Sequence, residues 1–371
     1  MTPPSDIIVV GAGIIGCAVA HELATRGASV EIVDERPVGM GATQASAGVL
    51  APYIEAGAHG PLQDLAVRSL DLYDDFIARV SAESGAAIPY HRNGTIDVAM
   101  SEVEMCRLAA SADALAERGV SARLLDAAAV RAEEPLVGDV VVGGLVIDTH
   151  GFVAASDLTR AIATAARRAG AQLIEQRRVH GITSSRGEIV VDTDRGSLRG
   201  DAVVVAAGSW SGEISIDGAT ARVPVRPVRG QLLSLAWVGP RMRRVTWTHR
   251  CYFVPWDDGT MLVGATVEEA GFDERATVAG VHDLLAAACE AVPHAWAAGF
   301  RGARVGLRPA TADGLPIMGA LDSAPNVMFA SGHYRNGVLL APLTARLVAD
   351  AMLDGRVDPL IAALGPSRFA G

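Results

Sequence analysis

The sequence predicts an α/β protein, α+β overall, in which a domain on a parallel sheet is interleaved with one on a mixed or antiparallel sheet. Residues 7–34 read as a strand, a glycine-rich turn, a helix and a second strand. Further apolar strands occur at 201–206 and 326–330, on either side of a β-rich stretch at 231–266 with a hairpin turn at 257–259. Because the α/β pattern resumes after each β-rich insertion, we expect two domains woven from several segments.

The length of the chain leaves room for both domains. It has 371 residues, of which 50% are hydrophobic and 20% charged, an ordinary balance for a globular protein. We assign residues 1–84, 150–222 and 306–371 to the first domain. Residues 85–149 and 223–305 are assigned to the second.

Charge and cysteine usage argue against several classes of function. The net charge is −10 and no basic tract is present, so nucleic-acid binding is not expected. The four cysteines are scattered without a Cys-x-x-Cys pair, which argues against a disulfide framework or a metal site. The sequence has no apolar run of about 18 residues, so no membrane span is predicted. The first residues lack the basic cluster of a signal peptide. We therefore expect a cytoplasmic protein.

The opening turn matches the dinucleotide-binding fingerprint of a Rossmann-like domain. Gly11, Gly13 and Gly16 follow the pattern Gly-x-Gly-x-x-Gly between a predicted strand and a predicted helix. The first glycine permits the tight turn, the second lets the backbone approach a pyrophosphate, and the third lets helix and strand pack closely. Asp34 ends the next strand about 20 positions on, where an acid can accept hydrogen bonds from a ribose. A glycine-rich turn that serves packing alone is the alternative.

The fingerprint alone does not distinguish FAD from NAD. One apolar strand ends at Ala207 and Gly208, and it resembles the strand and turn that pass close to the dinucleotide in two-domain flavoproteins. Near the C-terminus, a strand is followed by Gly332 and by a helix that begins near Gly337. The N-terminus of that helix would suit the N1–C2=O edge of a flavin, which becomes anionic on reduction. FAD is therefore the expected cofactor.

Motifs continue along most of the chain, at 6–16 with Asp34, 41–50, 203–212, 227–231, 251–266, 306–319 and 332–342. Together they resemble the glycine oxidase and D-amino-acid-oxidase-like family of FAD-dependent oxidoreductases, which includes sarcosine oxidases and D-amino-acid dehydrogenases. The first motif is shared by many flavoproteins, whereas the last two are specific to this group.

By this resemblance, residues from several parts of the chain should bind FAD. The link is expected to be non-covalent, because no cysteine lies in 302–319, where monomeric sarcosine oxidases carry their covalent flavin link. The expected contacts are Gly11, Gly13, Ile14, Ile15 and Gly16 in the turn; Asp34 and Glu35 at the ribose; Ala42, Thr43, Ala47, Gly48 and Val49 in the next loop; Val179 at the adenine; Ala207 and Gly208; and Gly332, His333, Tyr334, Arg335, Asn336, Gly337, Val338 and Leu339 toward the isoalloxazine.

The same resemblance assigns the substrate carboxylate to Arg308, with Tyr252 and Arg335 beside it. An arginine fork can hold a carboxylate through two charge-assisted hydrogen bonds, and a tyrosine hydroxyl adds a third donor. Each residue also has a structural alternative: a surface arginine, a core tyrosine, and an arginine paired with a carboxylate. The family is thought to transfer a hydride from the amine's Cα to flavin N5, so no catalytic acid or base is expected.

Three positions depart from the bacterial glycine oxidase pattern. Arg250 stands where that pattern has histidine, and Val49 and Val267 stand where it has methionines. The smaller side chains would enlarge the pocket, and an added arginine would change its charge. Strict specificity for glycine is therefore not expected.

The expected reaction is oxidative deamination of glycine, sarcosine, a D-amino acid or another small amine, with O2 reoxidising the flavin and giving hydrogen peroxide. In glycine oxidases the imine can pass to thiazole formation for thiamine. Two alternatives remain open: a dehydrogenase of the same fold that passes electrons to a quinone or carrier, and a non-catalytic FAD-binding protein. The family precedent also implies a homo-oligomer.

Overall fold

The computed structural model of the protein describes residues 5–55, 60–185, 187–220 and 223–369. The first four residues, which bear on the expectation about a signal peptide, lie outside the described part. Within that part, no helix is long and apolar enough to cross a membrane. No group of three or more His, Cys, Asp or Glu side chains there could hold a metal ion, and the four cysteines are free.

The strands form two large sheets and one small sheet. In chain order they are β1 (Ser5–Val10), β2 (Val30–Val33), β3 (Val49–Leu50), β4 (Tyr90–His91), β5 (Thr95–Ala99), β6 (Arg123–Asp126), β7 (Gly143–Ile147), β8 (Gly151–Val153), β9 (Gln172–Ile174), β10 (Val179–Ser185), β11 (Glu188–Thr193), β12 (Gly196–Val205), β13 (Ser215–Ile216), β14 (Ala219–Thr220), β15 (Arg226–Ala236), β16 (Val245–Trp247), β17 (Tyr252–Pro255), β18 (Thr260–Gly264), β19 (Gly299–Ala310), β20 (Ile317–Leu321) and β21 (Ala324–Ser331).

The helices are distributed along the chain among these strands. They are α1 (Ile14–Thr25), α2 (Pro52–Glu55), α3 (Pro61–Asp71), α4 (Tyr73–Ser84), α5 (Glu102–Ala116), α6 (Ala127–Glu133), α7 (Ala155–Arg168), α8 (Val278–Ala291), α9 (Gly337–Asp354) and α10 (Pro359–Leu364), with short 3-10 helices at Ala42–Ala45, Gly208–Trp210, Pro293–Ala297 and Pro366–Phe369.

The first sheet positions the glycine-rich turn. Its central strands run parallel in the order β9, β2, β1, β12 and β21. The apolar residues Ile7, Ile8, Val9 and Val10 of β1 are at most 4% exposed, because both faces of the sheet are covered. The carboxyl ends of β1, β2 and β12 meet at one edge, which is where open α/β sheets bind ligands.

Different layers cover the two faces of this sheet. Helix α1 is buried along almost its whole length and packs against α7 and α9. On the opposite face, Val10 and Val33 pack with Ile182 of β10 and with Ile189 and Val191 of β11. The turn between β1 and α1 is therefore anchored by core packing on both sides.

The second large sheet is mixed, as predicted. Its strands follow the order β19, β15, β18, β17, β16, β5, β7 and β6. Neighbouring strands are antiparallel except β16 and β5, which are parallel. The expected hairpin joins β17 to β18 through residues 256–259. Helix α8 packs on one face of this sheet through Leu284, Ala287 and Ala288.

The two large sheets are interleaved along the chain, which agrees with the predicted fold class. The first takes its strands from 5–33, 172–220 and 317–331, and the second takes its strands from 95–147 and 226–310. The division of the chain into domains at the residue boundaries given above stays a prediction.

A small sheet has the strand order β3, β8 and β4. Its residue Phe152 packs with Ala47 of the preceding loop and with Leu232, Val254 and Leu262 of the second sheet. This packing holds the loop before β3 against the face of the second sheet.

The longest described strand, β19, was not among the elements predicted from the sequence. Its glycines and arginines hide the alternation of apolar residues that marks a strand. It pairs with β15 from Arg226 opposite Ala310 to Ala236 opposite Gly299. The strand therefore carries Arg308 on the second sheet and next to the cleft described below.

Candidate active site

One large cleft follows the carboxyl-terminal edge of the first sheet and reaches the second sheet. Its walls come from the β1–α1 turn, the end of β2, the loop before β3, the start of β10 and the end of β12. Strands β15, β17 and β19 and the segment before α9 complete it. The cleft thus joins the dinucleotide fingerprint to the expected substrate residues.

Close backbone contacts explain two of the three fingerprint glycines. Gly11 has a φ of +111°, and a Cβ there would lie 2.4 Å from the carbonyl oxygen of Ala206. A Cβ on Gly16 would lie 1.8 Å from the carbonyl oxygen of Gly11. Among the described residues, a Cβ on Gly13 would approach only Thr43 Oγ1, at 3.6 Å. The turn leaves space for a phosphate at the N-terminus of α1, where the N-cap residue Gly13 has no side chain and the N–H of Ile14 donates to Thr43 Oγ1 at 3.2 Å.

The two acids at the end of β2 have different surroundings. The Asp34 carboxylate accepts hydrogen bonds from the backbone N–H groups of Ala12 at 2.6 Å and Arg36 at 2.7 Å. Burial raises the pKa of Asp34, and these two hydrogen bonds oppose that rise. Glu35 also lines the cleft, is more exposed, and lies 4.0 Å from Arg178. Asp34 therefore closes the fingerprint turn, while Glu35 is the acid with more room for a ribose.

The loop before β3 is fixed by two close contacts. A Cβ on Gly48 would lie 1.7 Å from the carbonyl oxygen of Val153. A Cβ on Gly306 of β19 would lie 2.8 Å from the Cβ of Ala45. The loop therefore packs tightly against the small sheet and the second large sheet. All of its expected cofactor contacts line the cleft, namely Ala42, Thr43, Ala47, Gly48 and Val49.

A second helix N-terminus faces the cleft at its other end. Helix α9 begins at Gly337 without a side-chain cap, and residues 333–335, Gly337 and Val338 line the cleft. His333 is buried and lies 3.1 Å from Thr344 Oγ1 through its Nε2. Burial lowers the pKa of His333 to about 3, so this histidine is neutral at physiological pH. The helix N-terminus rather than His333 supplies the positive potential here.

The remaining expected cofactor contacts fall into two groups. Ile14, Ile15, Val179, Ala207 and Gly208 line the cleft. The residues that lie behind its surface are Gly16, Gly332, Asn336 and Leu339.

Three side chains from separate elements converge at the substrate end. Arg308 comes from β19, Tyr252 from β17, and Arg335 from the segment before α9, and all three line the cleft. Glycines on neighbouring strands make room for two of them. A Cβ on Gly230 would lie 2.3 Å from Arg308 Cζ, and a Cβ on Gly264 would lie 2.4 Å from the Tyr252 hydroxyl.

Arg308 is a largely buried cation without a carboxylate partner in the described part of the chain. Its Nη1 donates to the backbone carbonyls of Thr266 at 2.9 Å and Arg229 at 3.4 Å. Loss of solvent lowers the pKa of Arg308, and the Tyr252 hydroxyl opposes this. A buried charge with no opposite charge beside it is costly. An anion in the cleft would therefore be stabilised at this position.

Tyr252 can act as a hydrogen-bond donor beside Arg308. Burial raises the pKa of Tyr252 to about 12, so its hydroxyl stays protonated at physiological pH. Its ring lies 4.6 Å from the ring of Trp247, measured between centroids. This contact fixes the plane of the tyrosine, and the hydroxyl is directed by the space that Gly264 leaves.

Arg335 has a carboxylate partner, Glu55, at the end of α2. Arg335 Nη2 donates to Glu55 Oε1 at 3.1 Å, and Arg335 Nε lies 2.9 Å from Glu55 Oε2. The Glu55 side chain is 9% exposed and lines the cleft. Burial raises the pKa of Glu55, while Arg335 lowers it. The structural alternative named for Arg335, pairing with a carboxylate, is the arrangement found here.

Sequence reasoning missed Glu55. The residue ends a helix of four residues, Pro52–Glu55, and belongs to none of the motifs that mark the fold. A glutamate directly after the apolar run Leu50 to Ile54, close behind a cofactor loop, is the one signal that could have pointed to it.

Two of the three residues expected to shape the pocket lie elsewhere. Arg250 stands in the turn before β17 and forms an ion pair with Glu290 of α8 at 2.6 Å, with 41% of its side chain exposed. Val267 follows β18 and is 58% exposed. Neither residue lines the cleft. Their positions therefore do not support the expectation that they change the size and the charge of the pocket. Val49 does line it.

Comparisons with known proteins agree with this geometry. The model of the family described as FAD dependent oxidoreductase matches residues 6–351. The chain is 35% identical to the glycine oxidase of Geobacillus kaustophilus, over 94% of this chain and 93% of that protein. It is also 32% identical to the bifunctional protein ThiO/ThiG of Synechocystis sp., over 100% of this chain. The chain spans only 55% of the length of that bifunctional relative.

Solved structures share the fold over nearly the whole chain. The crystal structure of glycine oxidase from Geobacillus kaustophilus superposes with a TM-score of 0.94 at 32% identity, covering 98% of this chain and 99% of that one. Iminodiacetate oxidase from Chelativorans sp. gives a TM-score of 0.88 at 25% identity, covering 97% and 98%.

The cleft fits the cofactor of this family. The open space at Gly13 and the N-terminus of α1 suit the pyrophosphate of FAD, and the exposed acid Glu35 suits its ribose. The N-terminus of α9 suits its flavin. The chain therefore belongs to the FAD-dependent oxidoreductase family that includes the glycine oxidases.

Proposed function

We propose that the protein catalyses oxidative deamination of a small amino acid, such as glycine, sarcosine or a D-amino acid, whose carboxylate binds Arg308. The observation that carries this proposal is the lack of a protein carboxylate beside Arg308 in the described part of the cleft. An amino acid supplies the missing anion, whereas an amine without a carboxylate would leave the guanidinium unpaired.

Arg308 and Tyr252 together orient the substrate. Because Nη1 of Arg308 is held by the carbonyls of Thr266 and Arg229, the guanidinium has a fixed direction before substrate binds. A carboxylate can then accept charge-assisted hydrogen bonds from the arginine and one from the Tyr252 hydroxyl. Three donors fix both the position and the rotation of the carboxylate. Holding the substrate in a reactive orientation is the main contribution of these residues.

FAD, when bound, would supply the redox chemistry as the acceptor of a hydride from the substrate's Cα, with O2 as the final oxidant and hydrogen peroxide as the product. The substrate leaves as an imine, which water converts to a 2-oxo acid and ammonia or an amine. Neither Tyr252, with a pKa of about 12, nor His333, with a pKa of about 3, exchanges a proton near neutral pH. These residues therefore serve binding and packing rather than acid–base catalysis.

The biological setting stays a proposal as well. The bifunctional relative is named ThiO/ThiG, which supports a role in which the imine feeds thiazole formation for thiamine. We also propose that the protein works as a homo-oligomer in the cytoplasm and holds FAD non-covalently.

Anaerobic reduction of the yellow protein tests the proposed reaction. Glycine, sarcosine, D-alanine, D-proline and larger amines are added in turn while the visible flavin band is recorded. Bleaching by at least one small amino acid, followed by recovery in air with release of peroxide, is expected. Bleaching followed by slow recovery in air and fast transfer to a dye would instead indicate a dehydrogenase. A flavin that stays oxidised with every amine would contradict the proposal.

A further inference from the structure

The pair of Glu55 and Arg335 sits in the same cleft as Arg308, and it changes the charge that a substrate meets. Arg335 contributes one positive charge and Glu55 one negative charge, and the two lie at hydrogen-bond distance. Arg308 is left as the one unbalanced charge of these three side chains. The substrate end of the described cleft therefore offers one net positive charge, which matches one carboxylate.

Glu55 is also able to act on a ligand directly. Its Oε2 is buried and lies 2.9 Å from Arg335 Nε in the ion pair, and no other N–H or O–H of the described residues makes a hydrogen bond to it. The side chain lines the cleft and is 9% exposed. A second anionic group on a substrate would face this oxygen and be repelled.

A dianionic substrate has one other way to bind, and it is unfavourable too. Its second carboxylate could take Arg335 away from Glu55. Glu55 would then remain as a buried carboxylate without a partner, which is a costly state. Arg335 is also held in place from its other side, with its Cζ 5.9 Å from the centre of the Trp247 ring.

From this geometry we infer that Glu55 determines specificity: together with Arg335 it selects substrates that carry a single carboxylate and rejects those that carry two. The inference rests on the proposed function, since it assumes that Arg308 binds the substrate carboxylate. It adds a class of substrate that the enzyme excludes, and it names the residue responsible.

Two matched pairs of small molecules test it. Sarcosine and iminodiacetate are both N-substituted glycines, and the second carries one more carboxylate. Acetate and malonate form the same pair without an oxidisable amine, so their dissociation constants can be measured from changes in the flavin spectrum without turnover. In the wild-type holoenzyme we expect malonate to bind at least about tenfold more weakly than acetate, and iminodiacetate to have a kcat/KM at least about tenfold below that of sarcosine.

The variant Glu55→Gln keeps the shape of the side chain and removes its charge. We expect it to reduce both discrimination ratios by about tenfold or more. Glu290→Gln is the matched control, because Glu290 also pairs with an arginine, Arg250, but lies outside the cleft. It should leave both ratios unchanged.

The outcomes separate this inference from the proposed function. If the wild-type enzyme binds malonate as tightly as acetate, the inference is wrong, and no variant is needed to show it. If sarcosine is oxidised but Glu55→Gln and Glu290→Gln give the same ratios as the wild type, Glu55 is not the selecting residue. If no amino acid reduces the flavin of the wild-type holoenzyme, the proposed function itself has failed.

Discussion

Gly230 and Gly264 stand beside the two side chains that we propose to hold the substrate carboxylate. Each glycine leaves space that a Cβ would fill, because that atom would lie 2.3 Å from Arg308 Cζ or 2.4 Å from the Tyr252 hydroxyl. At the residue scale, the site thus depends on the absence of a side chain at Gly230 and Gly264 as well as on the presence of Arg308 and Tyr252. Arg308 and Tyr252 can take these positions only because the neighbouring strands carry glycines beside them.

Adding a methyl group at one of these positions tests this account. In Gly230→Ala, the new Cβ must displace the Arg308 guanidinium, so the anchored carboxylate loses charge-assisted hydrogen bonds. We expect kcat/KM for amino acids to fall by about tenfold to a hundredfold. Gly299→Ala on β19 is the control, since its Cβ would be no closer than 3.4 Å to any described atom. Equal activity of the two variants would show that Arg308 does not need its present position.

The sequence was informative about single residues where a motif constrains the backbone. The fingerprint glycines could be predicted because close contacts at Gly11 and Gly16 exclude any side chain. Arg250 could not be placed, because its direction depends on Glu290, a tertiary partner far along the chain. Glu55 was missed for the same reason: its importance comes from the arginine that it meets, not from its neighbours in sequence.

At the scale of elements, strand β15 and the segment after β18 meet through a polar cluster beside Arg308. Glu268 accepts hydrogen bonds from the side chains of Thr266 at 2.5 Å, Gln231 at 2.7 Å and Arg229 at 2.6 Å. Two of these residues, Thr266 and Arg229, supply the backbone carbonyls that bind Arg308 Nη1. If Arg308 binds the substrate as proposed, we expect Glu268 to position the substrate through Arg308.

Removing the charge of Glu268 should loosen this cluster. In Glu268→Gln the ion pair with Arg229 is lost, and the carbonyls behind Arg308 are less well fixed. We expect KM for amino acids to rise by about tenfold while kcat changes less, since binding rather than chemistry is weakened. The neighbouring Glu269→Gln, whose partner Arg226 lies at the surface, is the control. A fall in kcat with an unchanged KM would refute the positioning role.

A helix or strand could be predicted where its own sequence pattern is enough to specify its secondary structure. The β1–α1–β2 unit has apolar strands, a glycine turn and a helix in immediate succession, so short-range signals suffice. β19 has no such signal, because its 12 residues are stabilised as a strand by pairing with β15 rather than by their own alternation. Arg308 could thus be named from a motif, but its position on the second sheet could not.

At the scale of the whole molecule, contacts between the two sheets keep the cleft in shape. Arg36, which follows β2, forms two hydrogen bonds with Glu274, at 2.9 Å and 2.7 Å, and its Cζ lies 4.5 Å from the ring centre of Trp210. Phe272 packs on Trp210 as well, at 5.7 Å between centroids. The segment after β18 therefore links the second sheet to the residues at the end of β2 and β12.

The stability of the molecule should depend on pH through a buried histidine. His150 is 0% exposed, and burial lowers its pKa from 6.5 to about 3. A basic group whose pKa is lowered on folding leaves the stability unchanged above its unfolded pKa and reduces it as the pH falls below about 6.5, because the unfolded chain then binds a proton that the folded protein does not. Between about pH 7.5 and about pH 5.5, His150 should therefore contribute a loss of about 1.4 kcal/mol in the free energy of unfolding.

Urea unfolding of His150→Gln at the two pH values measures this contribution. The difference between wild type and variant should change by about 1.4 kcal/mol between them. His282→Gln serves as the control, because the His282 side chain is 76% exposed. A parallel pH dependence in all three proteins would show that His150 is not kept neutral by the fold.

The central claim, that this FAD-dependent enzyme oxidises amino acids held by their carboxylate at Arg308, is tested most directly by one comparison in the wild-type protein. Anaerobic flavin reduction is followed with D-alanine and with D-alaninamide, which has the same amine and Cα–H but no carboxylate. We expect the amide to reduce the flavin at least about a hundredfold less efficiently, since it leaves the cation of Arg308 unpaired. Equal rates with the acid and the amide would contradict the account.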